Sequence, residues 1–420
     1  MTTTAPGPGH SPALGPALGP GLDERLRTLR AHARDMAPEL RAHALAVDAD
    51  PYDMGPHLGV AAYDLIRATT TPPEYGEGPL RLGRFSYPPG RCLDQVVMLA
   101  ELARGDAGML LACPAPSLAG VLLDQMGDRA QRDHFYGTLA SGTAWTFFAV
   151  TEPGHGSDAG SMETRLERAA GPGGPGRSGD YRLTGVKRYI GSGARGALGV
   201  VFARTGRGPL SLRAALVDAA SPGFAAGELD MFGLRGTCLA ELRLDGVPVP
   251  EERLLGRHLP ATRQGLLAAV RVFNQMRAQV GALAVGTAAA LVELVDAERP
   301  DAPGAETFAA RTEACRSLVH AAGAAVDADR DAGHASSLAK YAATGLARET
   351  ARWAVRSLGP EALVDLPLLE KWTRDVAAFE FMEGTSDIQR QHIATAYAKG
   401  RYALHRTGPA GSPPRGEEAR

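Results

Sequence analysis

The sequence predicts an α+β chain in three parts: helical, then β, then helical again. Three observations support this. Apolar residues keep helical spacing up to about residue 140, the period drops towards two between about 143 and 256, and the helical period returns from about 261. No alternation of strands and helices runs through the 420 residues, which argues against a Rossmann-like parallel sheet.

Residues 1–21 and 407–420 are rich in Pro and Gly without periodicity and are expected to be disordered tails. Residues 22–142 form a helical domain. Leu93, Val96, Val97, Ala100 and Ala103 keep i, i+3, i+4, i+7 spacing, and Pro72-Pro73, Pro88-Pro89-Gly90 and Pro114 to Pro116 break the helices. Residues 143–256 form a β-domain. Leu242 and Leu244 alternate with Glu241, Arg243 and Asp245, Gly199 to Arg204 and Ala214 to Asp218 read as strands, and Gly171 to Gly179 reads as a hairpin-like loop. Residues 257–406 are helical. One helix spans roughly Ser337 to Leu358 and stops at Gly359-Pro360, and the apolar run Gly281 to Val295 is too short to span a bilayer and reads as a buried helix.

Composition is that of an ordinary globular protein, with 44% hydrophobic and 22% charged residues. A net charge of −2 gives no basic field for nucleic acid or an anionic membrane. Of 45 basic residues only Lys187, Lys340, Lys371 and Lys399 are lysines, a bias that reads as GC-rich codon usage without chemical meaning. Cys92, Cys113, Cys238 and Cys315 form no CxxC pair, so neither a disulfide scaffold nor a zinc site is expected. The start MTTTAPGPGH lacks signal-peptide features, and a cytoplasmic location is expected.

Most motif matches have bland explanations. Gly191 to Gly196 fits GxGxxG, but a strand follows it where a dinucleotide site needs a helix. His155, Ser157 and Asp158 lie too close together for a hydrolase triad, and no HExxH or tight His/Cys cluster exists among the 11 His, so no metal is expected. Two stretches are richer. In Phe147 to Ser161 (FFAVTEPGHGSDAGS), Gly154 and Gly156 allow a flat or phosphorylated ligand to approach the backbone, although composition alone favours an ordinary polar turn leaving a strand. In Phe379 to Gln391 (FEFMEGTSDIQRQ), Glu383 stands beside apolar residues just before a helix start, and Ser386 and Gln389 have capping-box spacing. Glu383 is there either a tuned base or a helix-capping acid.

Together these stretches resemble the acyl-CoA dehydrogenase family over about residues 60–402. The resemblance rests on Pro72 to Gly78 (PPEYGEG), Val96 to Ala107 (VVMLAELARGDA), Gly127 to Gly142, Val150 to Asp158 (VTEPGHGSD), Gly185 to Gly193 (GVKRYIGSG), Gly233 to Gly256 and Arg374 to Arg390 (RDVAAFEFMEGTSDIQR). It implies a C-terminal four-helix bundle behind the helical and β-domains, FAD bound without a Rossmann fold, and a homodimer or homotetramer. It further implies that Phe148, Val150 and Thr151 line the isoalloxazine, with Gly156 and Ser157 at the pyrophosphate. Tyr189, Ile190, Gly191 and Ser192 fall at the flavin's other edge, and Thr385 and Asp387 on further FAD positions. Glu383 falls on the catalytic base, and Asn274, Arg277 and Gly384 on substrate positions. The chain departs from the family pattern at several places. Gly191 replaces a usual Thr or Ser, and Arg299 is the nearest remnant of an Arg-x-x-Phe-Gly stretch. Arg356 replaces a Gln, Gly359 belongs to a Leu-Gly-Pro that replaces an aromatic followed by Gly-Gly, and Asn274 stands where an acid is common.

The activity so implied is FAD-dependent α,β-dehydrogenation of an acyl thioester, carried by CoA or by a carrier protein in specialised metabolism. An electron-transfer flavoprotein or O2 would take up the electrons. One alternative is a flavin-dependent oxygenase or oxidase of the same fold, which the retention of Glu383 disfavours. The other is a cofactor-free binding scaffold.

Overall fold

The computed structural model describes residues 22–169, 180–208, 211–260 and 264–402. The two expected tails and the Gly171 to Gly179 loop lie outside the described residues.

The first part contains α1 (Glu24–Ala49), α2 (Ala61–Thr70), β1 (Leu80–Leu82), β2 (Phe85–Tyr87), α3 (Cys92–Leu102), α4 (Ala107–Ala112), α5 (Ser117–Met126) and α6 (Arg129–Leu139). The antiparallel β1–β2 hairpin interrupts what the sequence reads as purely helical. Three-residue strands are too short to show an alternating pattern, and Gly83 at φ +57 makes the tight turn between them. α3 is buried nearly all round rather than on one face, because α1 packs on one side and later helices on the other.

The second part holds β3 (Trp145–Ala149), β4 (Arg165–Arg168), β5 (Asp180–Ile190), β6 (Gly196–Arg204), β7 (Leu212–Asp218), β8 (Phe224–Glu228) and β9 (Ala240–Pro250). The sheet order is β3-β6-β4-β5-β9-β8, with β7 on β6. β3 runs parallel to β6, Phe148 opposite Val200. This brings the end of β3 next to the middle of the domain instead of leaving it at a hairpin. Inward residues Leu183, Val201, Leu242 and Val247 form one core between the strands, while Val200, Phe202 and Leu216 face the helices.

The third part comprises α7 (Leu266–Glu298), α8 (Ala305–Ala328), α9 (Gly333–Leu358), α10 (Ala362–Asp365), α11 (Pro367–Ala378) and α12 (Ser386–Ala398). The apolar run Gly281 to Val295 is the middle of α7, a 33-residue helix. By length and composition α7 is long enough to cross a membrane, yet 78% of its most apolar window is buried inside the protein. Its partners are α3, α8 and α9. Close approach is possible because small residues sit at the crossings. A Cβ on Gly286 would stand 2.6 Å from the Ala100 carbonyl oxygen, and one on Gly323 2.7 Å from Val96. α9 starts at Gly333, four residues before the expected Ser337, and ends with Gly359 at φ +91, the left-handed stop that a glycine supplies.

One buried ion cluster joins the three parts. Lys371 on α11 lies 2.6 Å from Asp106, which caps α4, and 2.6 Å from Asp375 one turn along α11. Asp106 also accepts from the Trp372 indole at 3.0 Å, and Asp375 from the Leu234 amide in the β8–β9 connection at 2.6 Å. All three charged side chains are buried. Removing the cation would strand two carboxylates in the interior. We therefore expect Lys371→Met to lower unfolding stability by about 3–5 kcal/mol, read as a shift in urea midpoint. A loss below about 1 kcal/mol would show that the cluster is not a brace.

Candidate functional site

The exit of β3 is fixed by a buried lysine. Lys187 on β5 donates to the Val150 carbonyl and to Glu152, both at 2.9 Å, and Glu152 accepts from the Thr164 amide at 2.9 Å. Burial brings the Lys187 ammonium down to about 8, against the pull of Glu152. The next residue, Arg188, donates its amide to the Thr151 carbonyl at 2.9 Å. The two sequence segments singled out above, 148–158 and 185–193, are thus laced side by side.

Around this lacing the expected cofactor residues divide. Phe148 is half-buried and meets Phe202 and Phe273 edge-on, and Val150 is buried among apolar residues of the helical side. Thr151 is half-buried. Tyr189 sits at φ +61 and is 56% exposed, its ring under the Arg188 guanidinium at 5.4 Å. Ile190 is a correction: at 2% exposure it packs inside the sheet core, because residues alternate between faces along β5. Ser192 is a second correction. Its side chain turns inward, its amide bonds the Thr237 carbonyl at 2.8 Å, and its hydroxyl lies 3.4 Å from Arg195 Nε, so it does not replace a hydroxyl missing at Gly191. Gly156 and Ser157 are exposed, and the Ser157 hydroxyl has no partner among the described residues. No atom lies within 4 Å of where a Cβ on Gly154 would stand.

The Glu383 turn lies between α11 and α12. Glu383 is at φ +53 and Gly384 at φ +96, consecutive left-handed residues of which only one is glycine. Arg277 Nε donates to the Glu383 carbonyl at 3.1 Å, and Gln389 reaches back to the same carbonyl at 3.2 Å and to that of Gly384 at 2.8 Å. Lys340 on α9 donates to the Gly384 carbonyl at 2.5 Å and the Glu380 carbonyl at 3.2 Å. The Glu383 amide has no acceptor among the described residues. Burial pushes the Glu383 carboxyl up to about 7, opposed by Arg277 and Lys340. Because Phe273, four residues before Arg277 on α7, touches Phe148, this turn stands beside the end of β3.

Glu380, three residues earlier, has another task. It accepts from the Ser386 amide at 2.7 Å and hydroxyl at 2.6 Å, capping α12. Burial acts to raise its carboxyl, but Ser386, Lys340 and Arg348 outweigh it and hold it below the usual range. The expected Ser386/Gln389 capping box is absent, since α12 begins one residue earlier than that spacing needs, at Ser386 itself, and Gln389 is drawn into the Glu383 turn. Thr385 occupies the N-cap position without bonding the helix through its side chain.

Asn274 and Arg277 are buried beneath the turn. Arg277 donates to Asn274 Oδ1 at 3.1 Å, and Asn274 donates to the Arg330 carbonyl at 3.0 Å. In the structure both side chains are engaged with protein groups at and below the turn. Asp387 is exposed and pairs with Arg390. Arg299, Arg356 and Gly359 belong elsewhere. Arg299 is exposed and donates to the Ser357 carbonyl at 2.8 Å, and Arg356 is exposed 16 residues beyond Lys340 on the same helix, about 24 Å along its axis. They lie at the opposite end of α9 from the Glu383 turn.

The sequence reading missed Lys187, Lys340 and Lys371. The signal was present in the rarity of lysine. Three of the four lysines are at most 1% exposed, each caged by oxygen atoms. A compact ammonium suits such cages where a planar guanidinium does not.

The features at the β3 exit fit a flat cofactor with an anionic tail: an exposed aromatic ring, an open glycine turn and an unpaired hydroxyl. Comparison with known proteins agrees. Residues 147–247 match the acyl-CoA dehydrogenase middle domain and residues 305–398 the C-terminal domain. An acyl-CoA dehydrogenase of Bacillus subtilis (strain 168) is 31% identical over 285 residues, 64% of this chain and 72% of that protein. The acryloyl-CoA reductase (NADH) of Anaerotignum propionicum is 28% identical over 74% of this chain and 80% of its own. In three dimensions the glutaryl-coenzyme A dehydrogenase–glutaryl-CoA complex superposes with a TM-score of 0.78, at 24% identity, over 92% of this chain and 98% of that one, which shows the shared fold. The chain belongs to the acyl-CoA dehydrogenase family, flavin-dependent oxidoreductases that act on CH–CH bonds and use FAD.

Proposed function

We propose that the protein carries out α,β-dehydrogenation of an acyl thioester, carried by CoA or by a carrier protein, with Glu383 as the base. The observation that carries this reading is the contrast between two nearby carboxylates. Glu380 is pinned and held ionised by a helix start, while Glu383 is lifted to about 7 and keeps its carboxylate free of partners among the described residues. Environments that push two carboxyls apart in this way assign their roles.

The α C–H of a thioester is a weak acid, so its removal needs both a base and a donor for the developing enolate oxygen. Glu383 supplies the base. Its own amide, free and set in the same left-handed turn, fits the donor. FAD, when bound, supplies the hydride acceptor for the β carbon. Phe148, Thr151, Tyr189 and Gly191 would flank its ring, Gly156 and Ser157 its phosphates, and Thr385 and Asp387 its remaining length. Arg356 and Gly359 at the far end of α9, and Arg299 bonded to Ser357 there, are too far from the turn to join that set within one chain, which supports a homodimer or homotetramer in which they meet a second copy's cofactor. An electron-transfer flavoprotein or O2 would reoxidise the flavin.

The purified protein is expected to be yellow and to retain FAD through dialysis at moderate salt. An absorbance scan checks this, and failure to take up FAD at large excess would favour the scaffold reading instead.

Glu383→Gln is expected to keep FAD while slowing flavin bleaching by acyl thioester by at least about 10²-fold, the low end for a general base. Exchange of the substrate α-hydrogen with D2O should fall in parallel, whereas Glu380→Gln should stay within a few-fold of wild type. Wild-type bleaching by Glu383→Gln would make Glu383 a structural acid.

The base must be ionised to work. The kcat/KM for flavin reduction should therefore fall about tenfold per pH unit below an apparent value near 7. A flat profile from pH 5 to 8 would contradict the assignment.

A further inference from the structure

Among the groups around Glu383, one buried cation has no part in the reading above. Lys340 is 1% exposed on α9, and its contacts are carbonyl oxygens, those of Glu380 and Gly384. A lysine buried this deeply is an expensive way to bond two carbonyls, which a neutral donor would satisfy. A buried ammonium needs counter-charge, and the stretch it grips carries two carboxylates, Glu380 first and Glu383 second, of which Glu380 is already engaged by Ser386 and Arg348.

We propose that Lys340 is a positioning residue for proton abstraction: it holds the Gly384 carbonyl, and with it the left-handed Glu383–Gly384 turn, while setting a positive charge beneath the base. This rests on Glu383 being the base. The device works with Arg277, which grips the preceding carbonyl from α7. Two cations on two helices thus bond consecutive carbonyls of a turn whose first residue is a strained non-glycine. The other titratable groups near the turn are Glu380 in the same stretch, Arg348 on α9 and His392 on α12. Glu380 is engaged with Ser386 and Arg348, and His392 lies 3.2 Å from Ser337 Oγ. Arg277 and Lys340 are therefore the charges left to oppose the burial of Glu383, and both act in that direction. Burial in turn brings Lys340 down to about 8, against the pull of Glu380 and Glu383. The lysine remains charged over the range in which the base must ionise.

A mere staple and a tuning charge differ in what they do to pH dependence. Losing a staple lowers the rate at every pH. Losing the charge moves the acid limb upward, by about one unit or more for an opposite charge at close range. The holoenzyme variant Lys340→Met is expected to shift the limb of substrate-driven flavin reduction up by about one unit. It should be about fivefold slower than wild type at pH 7 and about tenfold slower at pH 6, and approach it above pH 8.5, where wild-type Lys340 itself loses its proton. Lys340→Gln, which keeps an N–H donor, should show the same shift and serves if the Met variant does not fold.

A second readout does not use turnover. Because the folded-state value of Glu383 is raised above its usual 4.5, ionising it costs the folded protein stability as pH rises from about 4.5 to 7. The Tm advantage of Glu383→Gln over wild type should therefore grow across that range and level off above it. In the Lys340→Met background the growth should continue to about pH 8. An unmoved limb and an unmoved Tm window would overturn the proposal. Should Glu383→Gln bleach flavin normally while the Tm window still moves with Lys340, the assignment of the base fails and the charge coupling stands.

Discussion

The structure depends on a lysine held between two aspartates. Lys371 takes Asp106 from the early helices and Asp375 from its own helix, and Asp375 in turn holds the backbone of the β8–β9 connection. All three charged side chains are buried, so the attraction is strong and the desolvation cost large. The geometry tolerates little drift, and α11 has one orientation relative to the other two parts. That orientation matters because α11 runs directly into the Glu383 turn. Glu383 is placed by a brace whose nearest member, Asp375, stands eight residues upstream, in addition to the contacts at the turn itself.

The same use of buried cations on backbone oxygen repeats at the other half of the site. Lys187 holds the Val150 carbonyl as Lys340 holds that of Gly384. Both segments that flank the proposed cofactor position are irregular backbone, where no ladder or helix satisfies the carbonyls. A carbonyl buried without a donor is costly, and a lysine stem can deliver one across several ångströms of packed side chains. What looks like two unrelated loops is one solution applied twice.

Much of this was legible in the sequence. The change of hydrophobic period marked the β-domain, and Glu383 stood out by its apolar neighbours and adjacent glycine. The β1–β2 hairpin was hidden because three residues cannot display a period. Ile190 and Ser192 were misplaced because a motif read as a string carries no face: alternation along β5 sends Tyr189 outward and Ile190 inward. Asn274 and Arg277 were read as facing a ligand, although nothing in their local sequence says whether a polar residue on a long helix meets ligand or backbone. Lysine scarcity was set aside as codon usage. Against a background that favours arginine, three of the four lysines that persist mark buried cages of oxygen atoms that suit a compact ammonium.

The glycine and alanine crossings of α7 carry a consequence for how such a protein can change over generations. At Gly286 every substitution adds a Cβ, and that atom would strike the Ala100 carbonyl and the Ala103 side chain. The position is closed to drift in all directions, and the spacing of α7 from α3 is inherited as a unit. Descendants can therefore vary what they accept by exchanging side chains near the Arg277 end of α7 and in the loops of the β-domain. Altering the distance between the helices is not open to them. Diversity in such a lineage should gather at the ends of the bundle, around a middle that stays fixed.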